Sequence, residues 1–409
     1  MTKTDKEGQR KTPILRFKGF TDDWEQRQLR KLAKLITKGT TPQKYDGNIN
    51  FIKVENIEEV SINPKAKILE SEHLGKLKRS ILKENDILFS IAGSLGKVGL
   101  VNSAILPANT NQALAIIRLS ESKDIEYNYI FNYLRSNYIQ HFIRRLPSVG
   151  AQPNLSLKQI NELVIKFPNY CEQQKISNML DRLNNILTLY DRKLKLLSQV
   201  KKYFLDNLFA EKEYPNLRFK YFKKDKWEKT SLNSIVTYSN GKAHEKEINN
   251  KGNLDLVMMN SITTGGRLIT KKKILSPQDT LNKNDIVIVL SDIAKGELIG
   301  KSSVIPCDNQ YVLNQRIGCL HPTLNIDSFF VSKYINQKNR YFKSHAAGTS
   351  QINLSRSDVL NCTIYIPKVD EQHCVSNFII NVEKIINFYE YKKRHIIQIK
   401  NILLNTMFI

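Results

Sequence analysis

Several short strings in the sequence could carry chemistry, but each lacks part of the pattern that its chemistry requires. The string "AGSLGKVG", from Ala92 to Gly99, resembles a phosphate-binding loop, in which backbone amides and a lysine cradle a nucleotide. Only two residues separate Gly93 from Gly96, which is too short for the GxxxxGK[ST] pattern, and Val98 replaces the hydroxyl that would bind magnesium. We therefore predict a tight hairpin with a phosphate-facing Lys97.

No other catalytic constellation stands out. An adenine methyltransferase would carry an NPPY-like tetrapeptide, but the nearest string, "FPNY" from Phe167, lacks the paired prolines. Carboxylates such as Asp279 and Asp285 are too common to indicate a metal-dependent nuclease. The five cysteines and seven histidines show no CxxC or HExxH spacing, so we expect no metal site. Because catalytic triads assemble in space, a stand-alone DNA enzyme with unrecognised catalytic residues stays open as an alternative.

The charge balance indicates a polyanionic partner. The chain has 63 Lys and Arg against 39 Asp and Glu, a net charge of +24, which is most typical of nucleic-acid binding. A protein-binding helical scaffold with incidental charge is the second alternative. No stretch is apolar over the roughly 18 residues that a membrane helix needs, and the first residues lack the apolar core of a secretory signal. We therefore expect a cytoplasmic protein without membrane contact.

The sequence contains a long internal repeat. A shift of 199 residues (351 − 152) carries Gln152 in "GAQPNLS" onto Gln351 in "GTSQINLS". The same shift aligns "CEQQKI", which begins at Cys171, with "DEQHCV", which begins at Asp370. The segments "PILRFKGFTDDWE" and "PNLRFKYFKKDKWE" also match. A repeat of this length indicates that one structural plan is used twice.

Each copy has the same order of predicted elements. A short helical stretch precedes a turn, "KGTTP" (Lys38 to Pro42) or "NGK" (Asn240 to Lys242), where glycine allows the backbone to reverse. The strings "FIKVENI" and "LVMMNSI" then read as strands. Next, "NDILFSIAGSLGKVGLV" in the first copy aligns with "NDIVIVLSDIAKGELIGKSSVI" in the second. Each string is predicted to form a strand, a turn and a second strand. Each copy is therefore predicted to be a globe of several strands with peripheral helices.

A long helix is predicted to follow each globe. The segment from Glu172 to Leu208 contains no Gly or Pro, and such helices would reach ~55 Å at 1.5 Å per residue. Apolar residues at spacings of four and three form a coiled-coil seam in each segment, with Lys393 interrupting the second seam. So narrow a stripe cannot be buried on a small globe, so we expect the two helices to pair. The predicted helix-pairing residues are Ile176, Leu180, Leu183, Leu187, Tyr190, Leu194, Leu197, Val375, Ile379, Val382, Ile386, Tyr389 and Ile396.

These elements predict an α+β fold. Two similar mixed α/β globes would alternate with two long helices that pair as an antiparallel coiled coil, with pseudo-twofold symmetry. Two heads at a fixed separation suit a DNA reader, since half-sites about one helical turn (~34 Å) apart match two reading heads. The predicted segments are an N-terminal tail over 1–12, a first globe over 13–169, a central helix over 170–210, a second globe over 211–368 and a distal helix over 369–409.

The ordered motifs resemble one known family, the specificity subunit of type I restriction–modification enzymes. The resemblance runs from Pro13 to about Met407 and rests on "LRFKGF…W", "KGTTP", "NDILFSIAGSLGKVG", "NQALAI", "QPNLS" with its echo "QINLS", and "EQQKI". Each motif alone is weak, but their order, repeated twice around two heptad helices, is specific. The second copy departs from the pattern because it has no TP turn and carries "SDIAKGELIG" in place of the Gly-Ser-Leu-Gly-Lys string.

The resemblance implies a sequence-specific DNA-binding subunit that performs no chemistry itself. Each globe would be a target recognition domain that reads one half of a bipartite site in double-stranded DNA. The paired helices would act as a spacer and dock two methyltransferase subunits, which can recruit two restriction (motor–nuclease) subunits in a phage-defence complex. S-adenosylmethionine, ATP and Mg²⁺ would then be bound by those partners, and this chain would hold no cofactor.

The two heads are expected to read different half-sites. The segments "HLGKLKRS" (His73 to Ser80) and "LSPQDTLN" (Leu275 to Asn282) do not match between copies, although the segments that frame them do. Two heads that share a scaffold but differ between its matching parts should recognise different bases. We therefore expect the target to be asymmetric.

The DNA-contacting residues are predicted from side-chain chemistry. Lys and Arg on phosphates supply affinity, and side chains that fork onto base edges supply specificity. Asn and Gln beside strands also cap turns, so a structural role is the alternative, and for Asn154 and Asn353 we favour capping of the short helices that follow them. The predicted DNA contacts of the first globe are Lys38, Thr40, Lys53, Lys97, Asn109, Asn111, Gln112, Arg144, Arg145 and Gln152. Those of the second globe are Lys242, Asn260, Lys295, Lys301, Asn314, Gln315, Arg316 and Gln351.

Overall fold

The chain forms two compact units. The computed structural model describes residues 12–58, 61–145, 154–209, 211–249, 251–275, 279–293 and 297–408. The first unit comprises Met1–Lys193 with Tyr389–Ile409, and the second comprises Leu194–Phe388. Both boundaries fall inside the long helices, so each unit contains the start of one long helix and the end of the other. The segment boundaries drawn from the sequence remain predictions.

The first unit is a mixed α/β globe. Its strands are β1 (Glu25–Gln28), β2 (Ala33–Lys38), β3 (Ile49–Ile52), β4 (Ala66–Ile68), β5 (Ile87–Ser90), β6 (Val98–Leu100), β7 (Ala108–Thr110), β8 (Leu114–Leu119) and β9 (Val164–Phe167). Its helices are α1 (Leu29–Leu32), α2 (Glu70–Leu74), α3 (Tyr127–Arg135), α4 (Asn137–Arg145), α5 (Leu157–Glu162) and the start of α6 (Tyr170–Leu208). An antiparallel sheet has the order β2-β8-β5-β6, and a second sheet has the order β4-β3-β7 with β3 and β7 parallel. The strand β1 pairs with β9.

The second unit repeats this order of sheets. Its strands are β10 (Glu228–Ser231), β11 (Val236–Asn240), β12 (Leu254–Val257), β13 (Lys272–Ile274), β14 (Ile286–Val289), β15 (Ser291–Ile293), β16 (Ser302–Val304), β17 (Tyr311–Leu313), β18 (Ile317–Pro322), β19 (Gln351–Asn353) and β20 (Thr363–Ile366). Its helices are α7 (Ser328–Gln337), α8 (Asn339–His345), α9 (Arg356–Leu360) and the start of α10 (Val369–Thr406). The sheets have the orders β11-β18-β14-β16 and β13-β12-β17, and β10 pairs with β20. The additional pair β15-β19 has no named counterpart among the described strands of the first unit.

Both units place an Asn-Asp pair before a central strand. Asn85 and Asn284 adopt the left-handed backbone conformation, with φ of 66° and 72°, which asparagine tolerates better than most residues. The carboxylates of Asp86 and Asp285 then each accept the backbone N–H of the residue three positions earlier, at 2.8 Å. This turn explains why "ND" precedes the apolar strand in both copies.

The same two carboxylates each pair with a basic side chain on the neighbouring strand. Asp86 accepts hydrogen bonds from Nε and Nη2 of Arg118 on β8, both at 2.7 Å. Asp285 lies 2.7 Å from Nδ1 of His321 on β18, and Ser239 Oγ lies 2.8 Å from Nε2 of the same ring. The hydrogen bond to Asp285 raises the pKa of His321. The second unit therefore has a titratable histidine where the first unit has a permanently charged arginine.

Each core is closed by a buried tryptophan and by the apolar ends of both long helices. The first core cluster includes Trp24, Ile176, Leu180, Leu404, Met407 and Phe408. The second core cluster includes Trp227, Val375, Ile379, Leu208 and Phe209. Ile176, Leu180, Val375 and Ile379 were predicted to serve the helix seam, and the structure places them in these globular cores. The ends of the long helices therefore pack into the globular cores.

An ion pair at the start of each long helix holds this arrangement. Arg16 donates from Nε and Nη2 to the two carboxylate oxygens of Glu172 at 2.8 and 2.9 Å, and this hydrogen bonding raises the pKa of Arg16. In the second unit Arg218 donates to Glu371 at 2.8 and 2.5 Å. The side chains of that pair are only 4% and 1% exposed, and Trp227 Nε1 also donates to Glu371 at 3.0 Å. The glutamate of the repeated "EQ" motif thus anchors the chain segment that leads into each globe.

The glutamine of the same motif fixes the helix start to its globe. Gln173 Nε2 donates to the backbone oxygens of Asp124 and Pro168, both at 2.9 Å, and its Oε1 accepts the Glu126 N–H at 3.0 Å. Gln372 makes the corresponding bonds to the Pro367 oxygen and from the Asp327 N–H, both at 2.9 Å. These bonds explain why "EQQ" and "EQH" recur at the same position in both copies.

The two long helices run antiparallel in the first unit. The rings of Tyr190 and Tyr389 lie 5.9 Å apart, and Lys193 Nζ donates to the Tyr389 hydroxyl at 2.6 Å. Lys393 forms an ion pair with Asp191. The lysine that interrupts the apolar seam in the sequence therefore contributes to helix pairing.

The helices are also antiparallel in the second unit. Lys201 Nζ on α6 lies 2.7 Å from Glu383 Oε1 on α10, and the rings of Phe204 and Phe378 meet edge to face at 4.6 Å. Lys333 on α7 reaches the same Glu383 oxygen at 2.7 Å. Every residue predicted to pair the helices is buried or half-buried.

Among the described helices, none has an apolar stretch long enough to cross a bilayer.

The short helices α5 and α9 begin with serine caps rather than with the predicted asparagine caps. Ser156 Oγ accepts the Gln159 N–H at 3.2 Å, and Ser355 Oγ accepts the Asp358 N–H at 3.1 Å. In both copies, the serine of the repeated "NLS" string is therefore the N-cap residue, directly before the first helical residue. Asn353 lies in β19.

Breaking the buried ion pair of the second unit should destabilise that unit. Arg218→Ala leaves the Glu371 carboxylate buried without its main partner, so we expect the free energy of unfolding to fall by about 3–5 kcal/mol. The sequence has two tryptophans, Trp24 and Trp227, so Trp227 fluorescence during urea unfolding in a Trp24→Phe background reports the second unit. Lys368→Ala removes an exposed pair with Asp225, 3.7 Å apart, and should leave the midpoint unchanged. Equal effects of the two substitutions would contradict the role of burial.

The stability of the second unit should depend on the ionisation of His321. Its folded pKa is raised above the ordinary 6.5, so the stabilisation is fully present below about pH 6.5 and is lost as pH rises through the folded pKa. We expect the unfolding midpoint of the second unit to fall as the pH is raised from about 6.5 through the folded pKa of His321. His321→Arg, which copies Arg118, should flatten this dependence at the more stable level, and His321→Gln should flatten it at the less stable level. A wild-type midpoint that is constant over this interval would contradict the assignment.

Candidate nucleic-acid interface

In each unit a glycine turn crosses the end of a pair of parallel strands. Thr40 N donates to the Thr110 oxygen at 3.0 Å in the first unit, and Lys242 forms a parallel bridge with Asn314 in the second. A Cβ atom on Gly39 would lie 2.1 Å from the carbonyl oxygen of Asn111, and a Cβ atom on Gly241 would lie 2.1 Å from that of Asn314. Glycine is therefore required for close approach of two backbones. This reason differs from the one predicted, because neither glycine has a positive φ.

The first edge is the set of side chains at this turn and at the ends of β3 and β7. It consists of Thr40, Thr41, Lys53, Arg79, Asn111 and Gln112. Arg79 Nε donates to Thr40 Oγ1 at 3.2 Å, and Thr41 Oγ1 donates to Gln112 Oε1. Lys53 Nζ lies 4.3 Å from the ring centre of Tyr45, an ordinary cation–π distance. Four residues predicted from the sequence, Thr40, Lys53, Asn111 and Gln112, are thus brought together here.

The second edge occupies the same place in the second unit. It consists of Lys242, His244, Glu245, Asp279, Asn314 and Gln315, and Arg316 is exposed next to it. Lys242 and Asp279 form an ion pair, and this interaction lowers the pKa of Asp279. Glu245 Oε1 accepts from Asn314 Nδ2 at 2.9 Å and from Gln315 Nε2 at 3.1 Å. The hydrogen bond from Asn314 lowers the pKa of Glu245, so its carboxylate is charged at neutral pH.

Two of the predicted DNA contacts are structural residues. Asn109 is completely buried, and its Nδ2 donates to the Leu77 oxygen at 3.0 Å and to Ser80 Oγ at 3.1 Å. Asn314 is 3% exposed and accepts the His244 N–H at 3.2 Å in addition to holding Glu245. Their side chains have no surface to offer to a base, so the structural alternative for an amide beside a strand applies at these two positions.

The remaining predicted contacts lie on other elements. Lys38, Asn260, Arg144 and Arg145 are exposed, the first at the end of β2 and the last two at the end of α4. Lys301 Nζ donates to the Asn336 oxygen at 3.3 Å, and burial lowers its pKa. Gln351 on β19 donates to Ser291 Oγ at 2.7 Å. Gln152 and Lys295 lie outside the described residues.

The glycine-rich string of the first unit is a hairpin, as predicted. The strands β5 and β6 pair antiparallel around it, and Gly93 and Gly96 have positive φ. A phosphate-binding loop would lead into a helix, whereas Val98 begins a strand. Lys97 is exposed beside a cavity of about 380 Å³ that Arg135 and Gln140 also line.

The sequence analysis did not select Arg79, Glu245 or Asp279, which the structure places at the two edges. Arg79 lies in "HLGKLKRS" and Asp279 in "LSPQDTLN", the two segments that fail to match between copies. The mismatch between the copies is therefore the sequence signal that could have found both residues. Glu245 gave no such signal, since an acidic residue is an unexpected choice for a polyanionic partner.

The described residues include one group with metal-ligand chemistry. Oxygen, sulfur and nitrogen atoms of Asp285, Cys319 and His321 lie within 4.8 Å of one another. Burial raises the pKa of the Cys319 thiol, which is therefore protonated at neutral pH, and the 2.7 Å contact of His321 with Asp285 is a hydrogen-bond distance. The Asp86–Arg118 pair of the first unit occupies the equivalent place. These three side chains are explained by that structural ion pair.

Comparisons with known proteins agree on one family. The family model described as "Type I restriction modification DNA specificity domain" matches residues 21–199 and 224–401. The MjaVIII specificity subunit of a type I restriction enzyme from Methanocaldococcus jannaschii is 22% identical over 414 residues, covering 94% of this chain and 92% of that protein. The EcoBI specificity subunit from Escherichia coli is 32% identical over 138 residues, covering 33% of this chain and 28% of that protein.

Solved structures share the fold. The S subunit of a type I restriction–modification system from M. genitalium superimposes with a TM-score of 0.63 at 15% identity, covering 97% of this chain and 99% of that one. A chain from a study of complex assembly and conformational transition of the type I R-M system gives a TM-score of 0.58 at 15% identity, with coverage of 93% and 96%. The α+β fold with two similar globes and two long helices is therefore the fold of these proteins.

Together, the duplicated family match, the full-length relatives and the shared fold confirm the resemblance seen in the sequence. The chain belongs to the family of type I restriction–modification DNA specificity subunits, the non-catalytic components of those systems.

Proposed function

We propose that this chain reads an asymmetric, bipartite target in double-stranded DNA, with each unit contacting one half. The observation that carries the proposal is the pair of edges: the glycine turn and the parallel strands recur in both units, and the side chains around them differ. A net charge of +24 favours a polyanion as the ligand. Exposed Lys38, Arg144, Arg145 and Arg316 supply charge for phosphate contacts.

The long helices are proposed to set the spacing between the two half-sites. Each runs as one element, over Tyr170–Leu208 and Val369–Thr406. Each begins in one globular core and ends in the other, as the two clusters around Trp24 and Trp227 indicate. A change in helix length would then change the number of unread base pairs between the half-sites.

The same helices are proposed to dock two methyltransferase subunits, and through them two restriction subunits. In the second unit Leu196, Val200 and Tyr203 are 61%, 43% and 58% exposed, and their spacing of four and three places them on one face of α6. In the first unit Leu189 and Tyr391 are 61% and 58% exposed. Such apolar surface suits a protein partner. S-adenosylmethionine, ATP and Mg²⁺ would be bound by those partners, in a cytoplasmic complex.

Exchange of one recognition unit should change one half of the target. We would co-express the chain with a type I methyltransferase subunit and map N6-methyladenine across the host genome. The wild-type complex is expected to mark a single split motif. Replacement of residues 13–168 or 215–367 by another recognition domain should alter only one half of it, because each unit reads its own bases.

Three outcomes would contradict the proposal. A complex that forms but marks no defined motif would remove the DNA-targeting role and favour the helical scaffold. Methylation or cleavage by the purified chain alone would favour the stand-alone enzyme. An exchange that alters both halves would contradict the division between the units.

A charge on the exposed face of α6 should weaken partner binding. Leu196→Glu with Tyr203→Glu is expected to reduce affinity for the methyltransferase subunit at least ~10-fold, since burial of each apolar side chain contributes about 1.5–3 kcal/mol. Ser198→Glu lies on the opposite face of the helix and serves as the control. The measurement is a titration by analytical ultracentrifugation, and equal weakening by both variants would place the docking surface elsewhere.

A further inference from the structure

The two edges differ in the hydrogen-bonding groups that they leave free, because only the second includes an oriented carboxylate. This feature goes beyond the proposal that each unit reads a different half-site, and it rests on that proposal. Gly39 and Gly241, with Asn111 and Asn314, fix the same backbone geometry in both units. The side chains around this shared turn differ between the units.

The free groups of the first edge are donors. Arg79 is exposed, and its Nε is held by Thr40 Oγ1 at 3.2 Å. No described residue takes a hydrogen bond from its two Nη atoms, so the outer part of the guanidinium stays available. The nearby carboxylate of Glu72 already accepts the backbone N–H groups of Gln43 and Lys44 at 3.0 to 3.3 Å. An oriented arginine with two free donors matches the O6 and N7 acceptors of guanine in the major groove.

The free groups of the second edge include a fixed acceptor. Glu245 uses one carboxylate oxygen, Oε1, to bind the amide nitrogens of Asn314 and Gln315. One N–H of each amide is therefore directed to Oε1, and no described residue donates a hydrogen bond to Oε2. The positive charge of Lys242 is offset by Asp279. The edge thus presents an oriented carboxylate oxygen to its ligand.

A carboxylate at a DNA-facing edge needs a specific partner. DNA phosphates repel a carboxylate. The carboxylate therefore weakens DNA binding unless it accepts a hydrogen bond from a donor on the DNA. The major groove offers such donors only as exocyclic amino groups, N4 of cytosine and N6 of adenine. The open oxygen of Glu245 selects for one of these two bases.

We propose that Arg79 reads a guanine in the half-site of the first unit, and that Glu245 reads an amino-bearing base, cytosine or adenine, in the half-site of the second unit. Thr40 is a positioning residue for Arg79, and Asn314 and Gln315 are positioning residues for Glu245. The first head thus offers a donor and the second an acceptor, from different positions around the same glycine turn.

The test uses the complex of this chain with a methyltransferase subunit and the methylation motif as readout. Arg79→Ala should relax one guanine position of one half-site, with about 10-fold or greater loss of discrimination, and leave the other half unchanged. Arg79→Lys keeps the charge but loses the fork, so it should relax the same position while retaining affinity for phosphate. If both variants leave the motif intact, or weaken binding to all sequences equally, Arg79 is a backbone contact and the proposal for it is wrong.

Glu245→Gln gives a sharper outcome. Its oxygen must remain on the Asn314 and Gln315 amides, so its new NH₂ group occupies the open position and becomes a donor. One position in the other half-site should therefore change from cytosine or adenine to a base with an acceptor there, guanine or thymine. The base recovered from the wild type distinguishes cytosine from adenine. Glu247→Gln, on the same short turn, should leave the motif unchanged.

The outcomes separate the two levels of the proposal. If the wild-type complex marks no split motif, the function proposed for the chain has failed. If the wild type marks a split motif and Glu245→Gln only strengthens binding to all DNA, Glu245 is a repulsive charge without a reading role and this inference is overturned. Glu245→Ala, which should abolish the preference at the same position, provides a second variant.

Discussion

The paired arrangement of globe and helix depends on one buried ion pair in each unit. Glu172 and Glu371 are the third residues of α6 and α10, and each is almost completely buried. A carboxylate in that position is tolerated only because an arginine from the segment that leads into the globe binds both of its oxygens. The pair therefore joins the beginning of the globe to the beginning of the helix that leaves it. The direction in which each long helix emerges is set by this contact and by the neighbouring glutamine.

Comparison of the two copies distinguishes the contacts that maintain the fold from the side chains that differ between the units. The arginine–glutamate pair, the glutamine contacts, the Asn-Asp turn and the serine cap occur in both units with nearly the same distances. The Asp86–Arg118 and Asp285–His321 pairs both join an aspartate to the neighbouring strand, but the basic partner is an arginine in one unit and a histidine in the other. At the edges, by contrast, Thr40 with Arg79 is replaced by Lys242 with Asp279. Variation is concentrated where the frame leaves side chains exposed, which is where a ligand can be distinguished.

Much of the fold could be predicted from the sequence because its signals are local. Heptad spacing identified both long helices, and the glycine-rich string could be assigned to a hairpin because its spacing excluded a phosphate loop. Polar roles were harder, since burial depends on distant segments. Asn109 and Gln112 have similar side chains and lie close in sequence, yet one is buried and the other is exposed. Lys393 broke an apolar pattern, and only the structure shows Asp191 opposite it.

The residues of the two edges could be predicted only in part, because their proximity depends on segments that are distant in the sequence. Thr40, Lys53, Asn111 and Gln112 could be chosen by residue type, but Arg79 joins them only because the chain returns to Thr40 after almost forty residues. Glu245 was not selected because a net positive charge, summed over the whole chain, does not indicate where a single carboxylate lies. A carboxylate held by two amides is a local arrangement that the net charge of the chain does not describe.

The division of the chain between the units has a consequence for the order of folding. The second unit is one continuous segment, Leu194–Phe388, whereas the first unit also needs Tyr389–Ile409. Leu404, Met407 and Phe408 fill the core around Trp24, and the Thr406 carbonyl accepts the Leu15 N–H at 2.9 Å. During synthesis, all residues of the second unit emerge before those that complete the first core. The first unit is therefore the last to be finished although its first strands are made earliest, and its closure requires contacts across nearly the whole chain.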